Sequence, residues 1–296
     1  LHIDLKTQKT WIEEKPEEWY KLWIGGVSMA TRLCWENITP GCDPYSPENP
    51  VCIANGIFTG TPVPVGGKFG MADKSPMTGF IGDSLSGSWF SIALKRAGWD
   101  GIVIHNQSDS WVNVFIDDDH VEFLDATYLL GKGTYETEEA IREKLGDEQI
   151  RSCTIGPCGE HGVRFANVTN DGRQAGRTGH GSVWASKKLK ALSVRGTKGV
   201  RVYDPQTLMQ LSYDISKAAQ GEHTAKYRIY GTATGMKNSS AMGVLPTRNF
   251  QEGVFEDIDL ISGEYLDEHH KVKVISCAQC PIACEQMSIV KTGPFA

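Results

Sequence analysis

Three cysteines stand close together near the end of the sequence, within ISCAQCPIACEQ. Cys277, Cys280 and Cys284 have the spacing C-x2-C-x3-C, with a proline directly after the second cysteine. Thiolates at this spacing are typical metal ligands, and both tetrahedral zinc and a cubane iron–sulfur cluster need four ligands. Zinc sites usually combine two C-x2-C pairs, and this sequence has no second pair. The triad therefore favours an iron–sulfur cluster with its fourth ligand elsewhere, and a zinc-stapled structural protein is the alternative.

Glycine is frequent, with 32 residues, and concentrates in three loops. The loops are Val63–Phe80, Gly82–Phe90 and Asn170–Leu192. Glycine lets backbone N–H groups approach an anion closely, and Lys68, Arg173 and Arg177 add positive charge to the same loops. Together the loops indicate a phosphate site, although each alone is compatible with a tight turn of a β-rich domain. The order of glycines in GRTGHG fits neither a Walker loop nor a dinucleotide fingerprint.

Composition excludes several classes of protein. The chain has 296 residues and a net charge of −6, and no cluster of basic and aromatic residues indicates a nucleic-acid surface. Its longest apolar runs, such as Gly101–Ile104, are of strand length, whereas a membrane span needs about 20 residues. The sequence opens at Leu1 without a basic-then-apolar leader, so export is not indicated. We expect neither a nucleic-acid partner nor a membrane segment.

The other cysteines do not form a disulfide pattern. The chain is long, and its only tight cysteine cluster has the spacing of metal ligands, which indicates a reducing compartment, the cytoplasm. We interpret the remaining cysteines as buried packing residues. They are Cys34, Cys42, Cys52, Cys153 and Cys158.

The elements that must position these residues differ between the two ends of the chain. Up to about residue 200, strands and glycine-rich turns dominate, with a hairpin around Asp117–Asp119 and a strand leaving a turn of helix within Lys187–Thr197. One clear helix interrupts them, from about Thr134 to Leu145, with Gly146 as its C-terminal cap.

Helical spacing begins at Asp204-Pro205, a typical helix start. Leu208, Leu211, Ile215 and Ala218 recur on one face of this predicted helix. We therefore expect an α+β fold with a β-rich N-terminal domain, residues 1–204, followed by the beginning of a helical domain, residues 205–296. The second domain has few apolar faces with which to close a core.

Taken together, the loops and cysteines resemble the tungsten-dependent aldehyde:ferredoxin oxidoreductase family. The resemblance runs through nearly the whole chain, and its segments follow the order found in the family. The segments are YSPENP, TGTPVPVGGKFGMADKSPMTGF, LKRAGWDGIVI, IGPCGEHGVRFANVTNDGR, GHGSVWASKKLKALSVRGT, PTRNFQEGVF and CAQCPIAC.

The resemblance implies that the β-rich N-terminal domain is a cofactor-platform domain, and it implies two cofactors. The first is a bis-pyranopterin whose two halves are linked through magnesium at their phosphates and hold tungsten, or molybdenum, by four dithiolene sulfurs. The second is a [4Fe-4S] cluster held by Cys277, Cys280 and Cys284, with a fourth cysteine from much later in a chain of about twice this length. Site residues carried over from the family for the pterin are Lys68, Leu85, Gly87, Arg173, Gln174, Gly176 and Arg177.

Four positions in these loops depart from the family pattern. Lys68 stands where arginine is typical, which replaces a planar fork by a point charge. Leu85 stands where asparagine is usual, and leucine can serve only if that position binds through its backbone carbonyl. Gln174 replaces a small residue, and His180, in place of an apolar residue, is interpreted as a solvated loop histidine.

The family reaction implied is the oxidation of an aldehyde to a carboxylic acid, with electrons passed through the cluster to ferredoxin or to an iron–sulfur partner subunit. The catalytic acid–base residues are not among those carried over. Two alternatives stay open: a related tungsten enzyme acting on another small molecule, such as one that reduces aromatic-ring thioesters, and a non-catalytic electron-relay subunit of a complex. The resemblance is also compatible with a homo-oligomer.

Overall fold

The structure, a computed structural model, describes residues 1–294. The chain divides into two compact units. The first comprises Leu1–Pro62 and Gly66–Tyr203, and the second begins at Asp204 and also includes Val63–Val65. Helices and mixed sheets are both present, which confirms the expected α+β class.

The first sheet of the first unit has six strands in the order β2-β1-β6-β3-β4-β5. The strands are β1 His2–Asp4, β2 Lys9–Trp11, β3 Val51–Asn55, β4 Lys68–Lys74, β5 Ile81–Gly87 and β6 Gly101–His105. Only β1 and β6 pair in parallel, and the other neighbours are antiparallel. Strand β5 therefore lies at one edge of the sheet, hydrogen-bonded along its length to β4.

The second sheet also has six strands, in the order β11-β10-β9-β12-β7-β8. The strands are β7 Val112–Asp117, β8 His120–Asp125, β9 Arg151–Thr154, β10 Val168–Asn170, β11 Arg173–Ala175 and β12 Leu189–Arg195. The predicted hairpin is confirmed as β7 and β8, which are antiparallel and turn at Asp118-Asp119. Strand β12 confirms the strand expected within Lys187–Thr197.

Six helices accompany these sheets. They are α1 Glu17–Trp23, α2 Gly26–Asn37, α3 Trp89–Arg96, α4 Thr134–Leu145, α5 Pro157–Glu160 and α6 His180–Ser186. Helix α4 confirms the predicted helix, including the left-handed conformation of Gly146 at its end. A short 3-10 helix spans Thr127–Leu129.

The expectation of a single clear helix in this region is wrong, above all for α2. Met29, Ala30, Leu33 and Cys34 of α2 are buried at helical spacing. No side chain caps the N-terminus of this helix, so the usual start signal is missing from the sequence.

Both sheets contribute to one large core. Phe69 from β4 and Phe90 from α3 meet edge to face, with ring centroids 5.2 Å apart. Trp184 from α6 and Val114 from β7 belong to the same buried cluster. Burying each such side chain stabilises the fold by about 1.5–3 kcal/mol, so this core fixes the sheet edges that carry the candidate site.

The second unit is mainly helical. Its helices are α7 Pro205–Ala219, α8 Glu222–Tyr230, α9 Met236–Ala241, α10 Ile258–Ile261 and α11 Gly263–His269, with a 3-10 helix at Gly231–Gly235. A hairpin of β13 Lys271–Ile275 and β14 Glu285–Ser288 follows.

Helix α7 begins where the sequence predicts. The Asp204 carboxylate accepts a hydrogen bond of 3.0 Å from the Thr207 N–H and caps the helix. The predicted apolar face is largely uncovered, since Leu211 and Ile215 are 53% and 47% exposed. Across residues 1–294, no helix combines the length and apolar character needed to cross a bilayer.

Candidate functional site

The β4–β5 hairpin brings the first group of predicted site residues together. Lys68 pairs with Gly87 across the two strands, and Gly70 pairs with Leu85. A Cβ atom at Gly87 would lie 3.0 Å from Lys68 Nζ, so the ammonium group lies directly against this glycine. The Leu85 side chain is 56% exposed and leaves the strand on its solvent side.

The loop between β11 and α6 lies against the same strand. Ser84 Oγ accepts a hydrogen bond of 3.0 Å from the Arg177 N–H and donates one of 3.2 Å to the Arg177 carbonyl. Ser75 Oγ donates to the carbonyl of Thr178 at 2.8 Å. These bonds fix the backbone of Arg177 beside β5, while its side chain is exposed to solvent.

Gly82 permits this close approach. A Cβ atom there would lie only 2.6 Å from Thr178 Oγ1 and 2.9 Å from Thr178 Cβ. Any larger residue would push the loop away from β5. The glycine therefore has a steric role at this position, beyond flexibility of the backbone.

The turn between β10 and β11 makes a further connection to this region. Asn170 Nδ2 donates to Ser86 Oγ at 2.9 Å. The Asp171 carboxylate accepts a hydrogen bond of 3.1 Å from the Trp89 N–H, and the Asp171 N–H donates to Glu138 at 3.1 Å. The turn therefore bonds to both ends of the segment around Gly87.

The structure thus gathers the predicted residues along one edge of the first unit. Arg173 and Gln174 lie on β11, and Thr169 Oγ1 donates to Gln174 Oε1 at 3.0 Å. Gly176 and Arg177 follow in the loop that is bonded to β5. Gln174 and Gly176 are exposed, while Lys68 and Arg173 are half-buried. Lys68, Arg173 and Arg177 therefore lie on segments that these bonds join, beside several glycines. We call this edge the cradle, because basic residues next to glycine-rich backbone have the chemistry that suits an anion such as phosphate.

His180 differs from its predicted state. It is fully buried, with Nδ1 2.8 Å from Asp73 Oδ2, and Asp73 is also fully buried. Its Nε2 lies 3.3 Å from Thr178 Oγ1. The interpretation as a solvated histidine is wrong, because His180 begins α6 and its ring turns into the protein beneath the Arg177 loop.

Lys187 lies near the same buried pair. Its ammonium group donates to the carbonyls of Pro47 at 3.2 Å and Asn106 at 2.9 Å. Burial lowers the pKa of Lys187 to about 8, and the negative charge of Asp73 opposes this shift. These buried groups support the first unit from inside and do not reach the exposed cradle.

Glu138 was missed by the sequence reasoning. It lies on the buried face of α4 with Thr137 and Ile141, and burial raises the pKa of its carboxyl group to about 8, with a further contribution from the charge of Asp171. One signal in the sequence could have identified Glu138. The helical spacing of α4 places this acidic residue on the same face as the apolar residues.

The cysteine triad lies in the loop between β13 and β14. The Cys280 N–H donates to the Cys277 carbonyl at 3.0 Å, and Gln279 and Ala283 have φ values of 57° and 51°. This left-handed backbone curls the loop, and all three cysteines are half-buried. Within residues 1–294 no three His, Cys, Asp or Glu side chains lie close enough to hold a metal, so the sulfur atoms are not gathered into one site.

The remaining cysteines follow the packing interpretation with one exception. Cys34, Cys42, Cys52 and Cys153 are buried, as predicted. Cys158 is exposed, and its interpretation as a packing residue is wrong. It stands in the single-turn helix α5 directly after Pro157, on a side that faces solvent.

Comparisons with known proteins cover almost the whole chain. The profile described as "Aldehyde ferredoxin oxidoreductase, N-terminal domain" matches residues 1–196, and that of "domains 2 & 3" of the same protein matches residues 210–296. The chain is 41% identical over 295 residues to a tungsten-containing aldehyde ferredoxin oxidoreductase of Thermococcus kodakarensis. It is 38% identical over 295 residues to the protein of that name from Pyrococcus furiosus. Each alignment covers 99% of this chain and 49% of the relative.

A solved structure agrees with these matches. The active-site complex BamBC of benzoyl coenzyme A reductase, solved with 1,5-dienoyl-CoA, superposes with a TM-score of 0.83 at 27% identity. The match covers 99% of this chain and 47% of that one. The chain spans about half the length of the curated relatives that it matches. Two profiles in the proper order and relatives of about 40% identity establish that the chain belongs to the aldehyde ferredoxin oxidoreductase family.

Proposed function

We propose that this chain is the cofactor-binding part of a tungstopterin and [4Fe-4S] oxidoreductase that oxidises an aldehyde to a carboxylic acid. The observation that carries the proposal is the double hydrogen bond between Ser84 and the Arg177 backbone, which joins two glycine-rich loops distant in sequence. The relatives are named tungsten-containing aldehyde ferredoxin oxidoreductases, which supports both the metal and the reaction.

The cradle along β5 fits the phosphates of a pyranopterin. Lys68, Arg173 and Arg177 would neutralise phosphate oxygens, and the missing Cβ atom at Gly87 lets the Lys68 side chain lie directly against β5. The backbone carbonyl of Leu85, rather than its apolar side chain, would be the group that this position offers to magnesium. Gln174 and Gly176 would complete the set from the β11 side. We assign the pterin-binding role to the β-rich domain, residues 1–204, on these grounds.

The cysteine loop fits an iron–sulfur cluster by the chemistry of its donors. Cys277, Cys280 and Cys284 offer three thiolates on one curled loop, in the domain that we assign to residues 205–296. The sulfur atoms would have to close around the cluster when it binds. A fourth cysteine would come from the later part of the longer family chain.

The bound cofactors would supply the redox chemistry, a two-electron oxidation followed by one-electron transfers. The residues of this chain hold and orient the pterin, and they neutralise its negative charge. Arg173 and Arg177 can each bind two phosphate oxygens at once, whereas Lys68 offers a single compact charge. We assign no acid–base residue of the reaction to this chain. Ferredoxin or an iron–sulfur subunit would accept the electrons, and the protein would act in the cytoplasm.

Substrate assays test this proposal directly. The full-length protein, purified anaerobically, should reduce ferredoxin when it is given short aliphatic or aromatic aldehydes, and the matching carboxylic acid should form. Lys68→Ala and Arg177→Ala variants should lose this activity together with their tungsten. Full activity in tungsten-free protein would contradict the proposal.

A second candidate is the reduction of an aromatic-ring thioester. It is favoured by the likeness to the BamBC complex over nearly the whole chain. An assay with benzoyl-CoA and a strong reductant distinguishes this reaction from aldehyde oxidation. Loss of the aromatic absorbance, without oxidation of aldehydes, would favour the second candidate. A protein that carries the cluster and turns over neither substrate would instead fit an electron-relay subunit.

A further inference from the structure

We propose that Asp171 is a positioning residue that locks the two glycine-rich segments of the cofactor cradle together, and that Glu138 holds Asp171 in place. The inference rests on the proposed cofactor site and adds to it two residues outside the phosphate-binding set. Neither carboxylate is expected to touch the phosphates. Both act through the backbone of the residues that do.

Asp171 occupies a tight turn with a fixed backbone. Asn170 and Arg173 are paired at the ends of β10 and β11, and the two residues between them have φ values of 44° for Asp171 and 73° for Gly172. A two-residue hairpin turn needs such left-handed values, and Asp-Gly supplies them readily. The direction of Arg173 is therefore set by the same turn that places the Asp171 carboxylate.

The carboxylate caps a helix from a distant part of the chain. Asp171 Oδ2 accepts a hydrogen bond of 3.1 Å from the N–H of Trp89, which is 82 positions away and begins α3. Ser88, the residue at the N-cap position, makes no side-chain cap of its own. A negative group at a helix N-terminus satisfies a free N–H group and interacts favourably with the helix dipole.

Two bonds from consecutive residues enclose Gly87. Asn170 bonds to Ser86 on one side of this glycine, and Asp171 bonds to Trp89 on the other. Ser88 has φ of 118°, a conformation that L residues rarely adopt, so the segment needs external support to keep its course. The two bonds supply that support from the turn that leads into Arg173.

Glu138 fixes Asp171 from the opposite side. Its Oε1 accepts the Asp171 N–H, and its side chain is only 5% exposed on the buried face of α4. Within residues 1–294 Glu138 makes one ion pair, and it is long, with 3.9 Å between Glu138 Oε2 and Arg142 Nη1. Burying a carboxyl group beside the Asp171 carboxylate costs free energy unless hydrogen bonds compensate it. In the described part of the chain, the hydrogen bond that Glu138 accepts comes from the Asp171 N–H, at 3.1 Å.

The experiment compares variants of the full-length protein purified anaerobically. Asp171→Ala removes the cap, Asp171→Asn keeps an acceptor oxygen of the same shape, and Asp109→Ala removes an exposed aspartate paired with Lys6 as the control. Two quantities are measured: the tungsten and pterin retained after extended dialysis, and the hydrogen–deuterium exchange of the Trp89 amide.

We expect D171A to retain about tenfold less cofactor than the wild type, the effect of losing a charge-assisted hydrogen bond, with faster exchange at Trp89. D171N should restore most of the retention and the protection, because its amide oxygen can accept the same bond. D171A that behaves as D109A does would overturn the proposal, as would unchanged protection of the Trp89 amide.

A second pair of variants covers the case in which D171A does not fold. Glu138→Gln keeps the acceptor for the Asp171 N–H and should hold the cofactor, whereas Glu138→Leu removes it and should release the cofactor. Equal retention by the two variants would contradict the role of Glu138. If the wild type itself contains neither tungsten nor pterin, the proposed function fails, and the Trp89 exchange still tests the lock in the protein alone.

Discussion

The absence of a side chain at Gly82 allows the loop that carries Arg177 to lie close to β5. A Cβ atom at this position would meet the side chain of Thr178 at 2.6 Å, so Gly82→Ala should displace the loop that carries Arg177. We expect cofactor retention to fall several-fold with a loss of stability of about 1–3 kcal/mol. Gly199→Ala is the matched control, because a Cβ atom there meets nothing within 4 Å. Retention in G82A equal to that in G199A would contradict the close approach.

Glu138 gives the first unit a specific dependence on pH. Burial and the neighbouring Asp171 raise its pKa to about 8 from an ordinary value of 4.5. The native protein therefore keeps a proton that the unfolded chain has released, and the free energy of unfolding should fall as pH rises from about 4.5 to 8. The groups around Glu138 that carry charge are Asp171, Arg142 and Arg151.

Glu138→Gln should remove this contribution to the pH dependence of the free energy of unfolding. The substitution keeps the acceptor for the Asp171 N–H and cannot ionise, so E138Q should gain stability over the wild type towards pH 8, by at most about 5 kcal/mol. Denaturant unfolding at pH 5, 6.5 and 8 measures the difference. Parallel pH profiles of the two proteins would show that Glu138 ionises normally.

At the scale of elements, the packing of α2 on β4 depends on another glycine. A Cβ atom at Gly70 would lie 2.3 Å from the backbone nitrogen of Val27, and a backbone atom cannot move aside cheaply. Gly70→Ala should therefore lower the free energy of unfolding by about 1–3 kcal/mol or more. Gly199→Ala is again the control. Unchanged stability of G70A would mean that α2 lies farther from the sheet.

The sequence predicted some elements well and missed others for a physical reason. Helix α4, the β7–β8 hairpin and the start of α7 carry local signals: a glycine cap, a charged turn between alternating strands, and Asp before Pro. Helix α2 has no such signal, since Gly25 stands at its N-cap position and no side chain caps the helix.

The candidate site was predicted in part. The glycine loops and their basic residues could be recognised from composition and resemblance, and the structure joins them through Ser84 and Asn170. Ser84, Asn170 and Glu138 owe their roles to contacts between residues far apart in sequence, and so does the buried state of His180. No local sequence pattern encodes such contacts, so these features follow only from the folded structure.

At the scale of the whole molecule, the two units differ in how much apolar surface they bury. All three hydrophobic clusters found in residues 1–294 belong to the first unit. The second unit exposes large apolar side chains on several elements. They include Met209, Leu211, Tyr213, Ile229, Phe250, Leu260 and Val272.

This contrast predicts different behaviour of the two parts when they are expressed separately. Residues 1–203 should unfold cooperatively on heating, whereas residues 204–296 should bind a dye for exposed apolar surface and lack a cooperative transition. Circular dichroism melting and dye fluorescence measure the two properties. A sharp transition in the 204–296 fragment would contradict the account of its surface.

The most direct test of the central claim is a crossed metal analysis of the full-length protein, purified anaerobically as the wild type, Arg177→Ala and Cys280→Ala. The wild type should contain about one tungsten and about four iron atoms per chain, with the broad visible absorption of a cluster. R177A should lose tungsten and keep iron. C280A should lose iron and its visible colour while the pterin stays bound. Colourless wild-type protein with stoichiometric zinc, or tungsten retained in R177A at the wild-type level, would contradict the account.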